Sequence, residues 1–395
     1  MTDTEELHSQ VADALEETFG DLRKPVVRNL AHLVVGLVMA LRVSRGWYGK
    51  LSLSGISRGL QTSGKVKARY KRLHRFLDNP RFGMDQLSGG LLRLARGSSS
   101  GLLPLVVDQT AVGEVQVVTG SYPVVGRAIP VAMATFEYSE LVRGQNILEE
   151  SFLGRLAGSV PRRSTVVWIM DRGYARASLL ALCRKQGWLH IIRGQSGATV
   201  EFEAAGKARR MSLGRLRHRQ GKARRYRGVL YHRTAKEKVD VVVYRERGFK
   251  EPWFLLVPAE SEDVLSTERV VRWYRARMTI EVTFRDFKSW LGVRGLHLKV
   301  RRAERLGRLL AGLAIAYVLL LALGESPLAE QLRRHLEITR SKARHGTRRT
   351  LSVLCVALMA VTDSFLLSRS SLIAVLLECL SGLRRQPVCM VLASG

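Results

Sequence analysis

The stretch Ser164-Thr165-Val166-Val167-Trp168-Ile169-Met170-Asp171 decides how the chain is read. It is a short β-rich run of bulky apolar residues without a charge, and it stops at an aspartate. Such a run predicts a buried strand. A second one, Leu102-Leu103-Pro104-Leu105-Val106-Val107, also stops at an aspartate, Asp108. Between the two, Ala128–Ala134 reads as a strand, with Pro130 arguing for an edge or a start. Ile147–Leu156 and Ala175–Lys185 read as helices, and Trp188–Ile192 as a further strand. Strands alternating with helices predict an α/β core.

Outward from that core the pattern changes. Residues 195–262 hold period-two stretches such as Val239-Asp240-Val241-Val242-Val243-Tyr244, which predict antiparallel strands and a β-rich insertion. A helical pattern returns at Ser266 and runs past Lys288. Residues 1–95 are predicted helical, with Leu30, Leu33, Leu37 and Leu41 at helix spacing. Gly97-Ser98-Ser99-Ser100-Gly101 reads as a boundary. Residues 303–395 are mostly apolar helix with a basic interruption, Arg333–Arg349. The expected segments are therefore 1–100, 101–194, 195–262, 263–305 and 306–395.

Charge narrows the partners. The 395 residues carry 64 Lys+Arg against 34 Asp+Glu, a formal +30. A polyanion explains such an excess, because each neutralised phosphate releases condensed counterions. Residues 1–20 run the other way, with six acids and no Lys or Arg, and read as an amphipathic helix on Val11, Leu15 and Phe19. Lys207–Lys250 holds 16 Lys/Arg and three acids. Lys65, Lys67, Arg69, Lys71, Arg72 and Arg75 interleave with Tyr70, Leu73, Phe76 and Leu77. That spacing gives a helix with a cationic polar face, suited to DNA backbone.

Other chemistries are disfavoured. Cys183, Cys355, Cys379 and Cys389 show no paired metal-ligand spacing and read as buried thiols in a reducing compartment. The nine histidines show none either. No nucleophile elbow and no Walker loop is present, so ATP use is not expected. The charge-free runs Leu30–Leu41 and Leu309–Leu323 are shorter than the roughly 20 apolar residues that span a bilayer, and the acidic start is unlike a signal peptide. A cytoplasmic protein that meets nucleic acid, without a membrane, is the expectation.

Asp108 and Asp171 are each predicted at the C-terminal end of a strand, where open α/β sheets place ligands. A third carboxylate on a facing helix would complete a metal site, and Glu281 is the candidate. Its helix reads Trp273-Tyr274-Arg275-Ala276-Arg277-Met278-Thr279-Ile280-Glu281-Val282-Thr283-Phe284-Arg285-Asp286-Phe287-Lys288. On one continuous α-helix Tyr274, Arg277, Glu281 and Lys288 would share an arc of roughly 60°. Asp286, about 140° away from Glu281, would point elsewhere.

Tyr-x2-Arg-x3-Glu-x6-Lys, matched at Tyr274, Arg277, Glu281 and Lys288, resembles the signature of bacterial insertion-sequence transposases of the IS-four type. Their first two acids match Asp108 in Val-Val-Asp-Gln-Thr and Asp171 in Met-Asp-Arg-Gly-Tyr. The resemblance covers about residues 20–355 and implies an RNase H-like catalytic core with a β-rich insertion, flanked by helical regions. It implies that Asp108, Asp171 and Glu281 coordinate two Mg²⁺ ions, with Mn²⁺ able to substitute. It implies cut-and-paste chemistry: water frees a 3′-OH, a hairpin forms and reopens, and the 3′-OH attacks target DNA. Tyr274, Arg277 and Lys288 would hold phosphates, and Trp253 would receive a flipped base. The partners implied are double-stranded DNA, as element ends and target, and a second copy of the chain in a homodimer. Two alternatives stay open: an RNase H-like nuclease without strand transfer, and a catalytically silent DNA-binding descendant.

Overall fold

A computed structural model describes residues 3–43, 51–60, 62, 64–97, 100–204, 207–293, 300, 302–344, 347–363 and 366–387. They fall into two compact units, one of residues 1–99, 109–159 and 282–395, the other of residues 100–108 and 160–281.

The second unit carries the parallel core. β1 (Gly101–Val112) lies parallel to β4 (Ser164–Met170), and β4 parallel to β5 (Leu189–Arg193). A parallel pair needs a crossover, and α7 (Ala177–Gln186) supplies the one between β4 and β5. It stops at Gly187, whose φ of 64° suits a residue without a side chain. The predicted insertion does not form a separate sheet. Its last strand, β10 (Trp253–Pro258), pairs antiparallel with β5 through Leu255↔Arg193 and Leu256↔Ile192. From β10 the sheet continues through β9 (Glu237–Tyr244), β8 (Arg224–Tyr231) and β6 (Thr199–Ala204) to the edge strand β7 (Lys207–Ser212). Arg209 and Arg210 stand exposed on β7, and like charge on an edge discourages pairing with another edge. Inside the insertion, the buried Arg225 pairs with Asp240 at 2.8 Å and also donates to the Leu265 carbonyl, at 2.7 Å.

The first unit is largely helical. α1 (Asp3–Thr18), α2 (Lys24–Val43), α3 (Leu53–Gly59), α4 (Val66–Leu77) and α5 (Ser88–Arg96) precede β1. The strands β2 (Val115–Val124) and β3 (Arg127–Phe136) form an antiparallel hairpin, followed by α6 (Gln145–Gly158). After α8 (Thr267–Ala276) and α9 (Met278–Arg285) come α10 (Ala303–Gly324), α11 (Pro327–Leu336), α12 (Val353–Thr362) and α13 (Arg369–Arg385).

Every residue of α10 from Leu309 to Gly324 is buried. A helix apolar all round needs neighbours all round, and α2, β3, α12 and α13 supply them. Each fully buried Leu there contributes about 1.5–3 kcal/mol. A Cβ at Gly312 would collide with Leu33, so the missing side chain sets the close approach of α10 to α2. Lys24–Arg42 and Ala303–Gly324 extend beyond the charge-free runs Leu30–Leu41 and Leu309–Leu323 and are long and apolar enough to cross a membrane, contrary to the expectation from those runs. In the fold 72% and 89% of them is buried in protein, as core helices are.

Two local expectations need correction. β1 does not end at Asp108. It runs on through Gln109-Thr110-Ala111-Val112 to a turn in which Gly113 takes a φ of 62°. The helix expected from Ser266 past Lys288 is not continuous: α8 ends at Ala276, α9 restarts at Met278, and Asp286–Trp290 form a π-helical turn. The single-helix arc drawn through Tyr274, Arg277, Glu281 and Lys288 therefore does not hold along its whole length.

Candidate active site

Register sets the first two acids side by side. Val107 on β1 is opposite Met170 on β4, so Asp108 and Asp171 take the next position on neighbouring parallel strands. Strands about 4.8 Å apart in equal register carry such side chains on the same face. Asp171 has extended backbone, φ −80° and ψ 176°, before the tight turn Arg172–Tyr174. Both acids are partly exposed.

The third acid is reached through an arginine. At the break between α8 and α9 the backbone tightens, with Arg277 N–H donating to Tyr274 O at 3.1 Å and Ile280 N–H to Arg277 O at 3.2 Å. The Arg277 guanidinium, only 8% exposed, donates through Nη1 to Asp108 Oδ2 at 3.0 Å and through Nη2 to Glu281 Oε1 at 2.6 Å. One fork thus bridges the acid of β1 and the acid of α9, with one charge-assisted donor to each carboxylate. Burial alone would lower the pKa of Arg277; the carboxylates of Asp171, Glu281 and Asp108 raise it instead. The Tyr274 hydroxyl lies 3.5 Å from Asp171 Oδ1, the outer limit of a hydrogen bond. Burial pushes that phenol up to about 12, so it stays protonated and acts as a donor.

The donor chemistry suits a hard divalent cation, being carboxylate oxygen alone. Among the described residues, however, no group of three or more His, Cys, Asp or Glu side chains is gathered closely enough to hold a metal ion. The acids are joined through Arg277 and Tyr274 rather than converging directly.

The remaining predicted residues fall into three places. Trp253 is half-buried at the start of β10, with its ring edge-on to Tyr274 at 5.1 Å and tilted against Tyr244 at 5.8 Å. It lines a cavity of about 560 Å³ whose wall carries the cations Arg193, Lys250, Arg275 and Arg277, the acids Glu246 and Glu251, and the apolar Phe249 and Met278. Phe249 (57% exposed) and Met278 (50% exposed) are the bare apolar surfaces there, and sequence reading passed over both. The only signal for Phe249 was an aromatic between glycine and lysine.

Lys288 lies in the π turn, where its Nζ donates to Thr110 Oγ1 at 2.5 Å.

The cationic helix forms as α4. Leu73, Phe76 and Leu77 are buried, while Lys65, Lys67, Lys71, Arg72 and Arg75 are exposed. Arg69 is less available, since it donates to the carbonyls of Leu60 and Thr62. Arg72 donates to Asn29 at 2.7 Å, and Arg28, Arg69, Arg72 and Arg75 line a cleft of about 870 Å³ between α2 and α4.

No curated protein matches the chain. Residues 142–319 match the family described as the transposase DDE domain; the span begins after Asp108, contains Asp171, Trp253, Tyr274, Arg277, Glu281 and Lys288, and supports a DDE transposase.

Proposed function

We propose that the chain is a DDE transposase of the IS-four type, with an RNase H-like core that cuts an insertion sequence out of DNA and joins it elsewhere. The observation that carries this reading is the pairing of Asp108 and Asp171 on adjacent parallel strands, with Glu281 tied to Asp108 through Arg277. The match to the transposase DDE domain supports it, as does the formal charge of +30.

Asp108, Asp171 and Glu281 would hold two Mg²⁺ ions, which when bound supply Lewis-acid stabilisation to attacking and leaving oxygens at a phosphodiester. The chain's own residues do the rest. Arg277 and Lys288 offer charge-assisted donors to phosphate oxygens, Arg277 as a fork and Lys288 as a point charge. The protonated Tyr274 orients Asp171. The cavity beside Arg277 has the room and the aromatic lining to take an unstacked base, on Trp253 or on the more exposed Phe249. The exposed cations of α4 would track duplex phosphates without reading sequence. Two element ends must be brought together, so the working form is a homodimer on DNA. The nucleoid of a bacterial cytoplasm is the expected location.

The test is incubation of the full chain with its own element's end DNA and Mg²⁺, followed by a denaturing gel. Hairpin and joined products are expected from the wild type. Asp108→Asn, Asp171→Asn and Glu281→Gln should each remove them while leaving end binding largely intact. Full Mg²⁺-dependent cleavage by Asp108→Asn would refute the assignment. Nicked DNA without hairpin or joined product would identify a nuclease instead.

A further inference from the structure

Three acids and one buried guanidinium make an arrangement that the proposed chemistry cannot use as it stands. Resting on the reading above, we propose that Arg277 is an internal stand-in for a divalent cation. In the metal-free protein its guanidinium bridges Asp108 and Glu281, and it leaves both carboxylates when a divalent cation binds them.

Three observations carry the inference. Arg277 satisfies acids from two different elements at 3.0 and 2.6 Å, the role a cation between them would play. It is 93% buried, and a buried charge needs counter-charges, which Asp108, Asp171 and Glu281 provide. No three carboxylates among the described residues close on a common point while the fork stands between Asp108 and Glu281. A guanidinium and a dication at one position repel each other strongly, so the two occupants exclude one another.

Arg277 also has somewhere to go. It lines the cavity of about 560 Å³ that holds Lys250, Phe249 and Trp253. Its Nη2 already touches Met278 Sδ at 3.4 Å, a half-exposed side chain on that wall. Released into the cavity, the guanidinium becomes a donor for phosphodiester oxygens. Cation binding and DNA grip would then be coupled through one side chain, each favouring the other.

The experiment titrates MnCl₂ into the full metal-free chain without DNA, following free Mn²⁺ by electron paramagnetic resonance. Arg277→Gln is the decisive variant, because it removes the positive charge that competes with the cation and retains an amide donor. Arg277→Lys, which keeps a charge without the fork, is the second. Arg277→Gln should bind Mn²⁺ about tenfold more tightly than wild type or better, with Arg277→Lys between the two. In EDTA both should unfold at lower temperature than wild type, and Mn²⁺ should recover more of the loss than it adds to wild type. Arg277→Gln binding Mn²⁺ with unchanged or weaker affinity overturns the proposal. Asp108→Asn and Glu281→Gln separate the two levels. If they abolish Mn²⁺ binding and Arg277→Gln leaves it unchanged, the stand-in role fails and the carboxylate site survives. If the wild type binds no better than they do, the metal-site reading falls and takes this inference with it.

Discussion

Asp286 offers the strongest stability test, because its carboxylate is fully buried and charged partners meet there. Its Oδ2 forms an ion pair with Arg127 Nε at 2.5 Å and accepts from the Tyr317 hydroxyl at 2.9 Å, with Arg127 itself only 14% exposed. Burial pushes the Asp286 carboxyl up, and the Arg127 charge with the Tyr317 bond pulls it back. Asp286→Ala would leave a buried guanidinium without its counter-charge, at a cost of about 3–5 kcal/mol. The orphaned Tyr317 hydroxyl adds about 1 kcal/mol. Asp286→Asn keeps an acceptor for Tyr317 and should cost roughly half as much. The double variant Arg127→Met/Asp286→Leu removes both charges and should return to within about 1 kcal/mol of wild type. Equilibrium unfolding in urea, followed by circular dichroism and tryptophan fluorescence, measures all three. An Asp286→Ala protein within about 1 kcal/mol of wild type would refute the reasoning. So would a double variant as unstable as the single one. Because Asp286 is the first residue of the π turn, its loss should also loosen Lys288, two positions on.

Acid should weaken the fold through two buried histidines, His32 and His190, whose imidazoles burial pushes down to about 4. The unfolded chain takes up protons near pH 6.5 while the folded one resists until near pH 4. Stability is therefore full above pH 6.5 and falls across that window, by about 3 kcal/mol for each histidine. Thermal melts from pH 7 to pH 4 should show the decline, and His190→Gln should flatten it; an unchanged slope in the variant would count against the assignment. Lys288→Ala should weaken binding of end DNA and lower the slope of log K against log salt by about one unit, and an unaltered slope would remove Lys288 from the phosphates.

How much of this was legible in the sequence depends on the reach of each contact. The run Ser164–Met170 gave β4 to the residue, because a short apolar run carries its own signal. The helix α4 followed from spacing alone, with Leu73, Phe76 and Leu77 buried and the cations outside. The end of β1 was misread at Asp108. Gln109 and Thr110 look like a turn locally, and nothing in the sequence shows that the strand continues to Gly113. The hairpin strand β2 was missed altogether, since Gly120 and Pro123 interrupt its pattern. The helix through Glu281 looked continuous because its apolar spacing is. The break at Arg277 and the π turn at Asp286 are where side chains meet partners far away in sequence: Asp108 for one, Arg127 and Tyr317 for the other. Strand ends and helix spacing named Asp108, Asp171 and Glu281 only as candidates, and the arginine fork that joins two of them came only from the fold.

The way the insertion joins the sheet has an evolutionary corollary. The chain departs through β5 and comes home on β10, its immediate neighbour, the seam running through Leu255↔Arg193, Leu256↔Ile192 and the Gly194 N–H on the Phe254 carbonyl. A module whose entrance and exit adjoin can be lengthened, trimmed or exchanged at its far rim without re-threading the strands that hold Asp108 and Asp171. The hairpin of β6 and β7 at that rim is accordingly the place where a change of length leaves the pairing of β1 with β4 untouched.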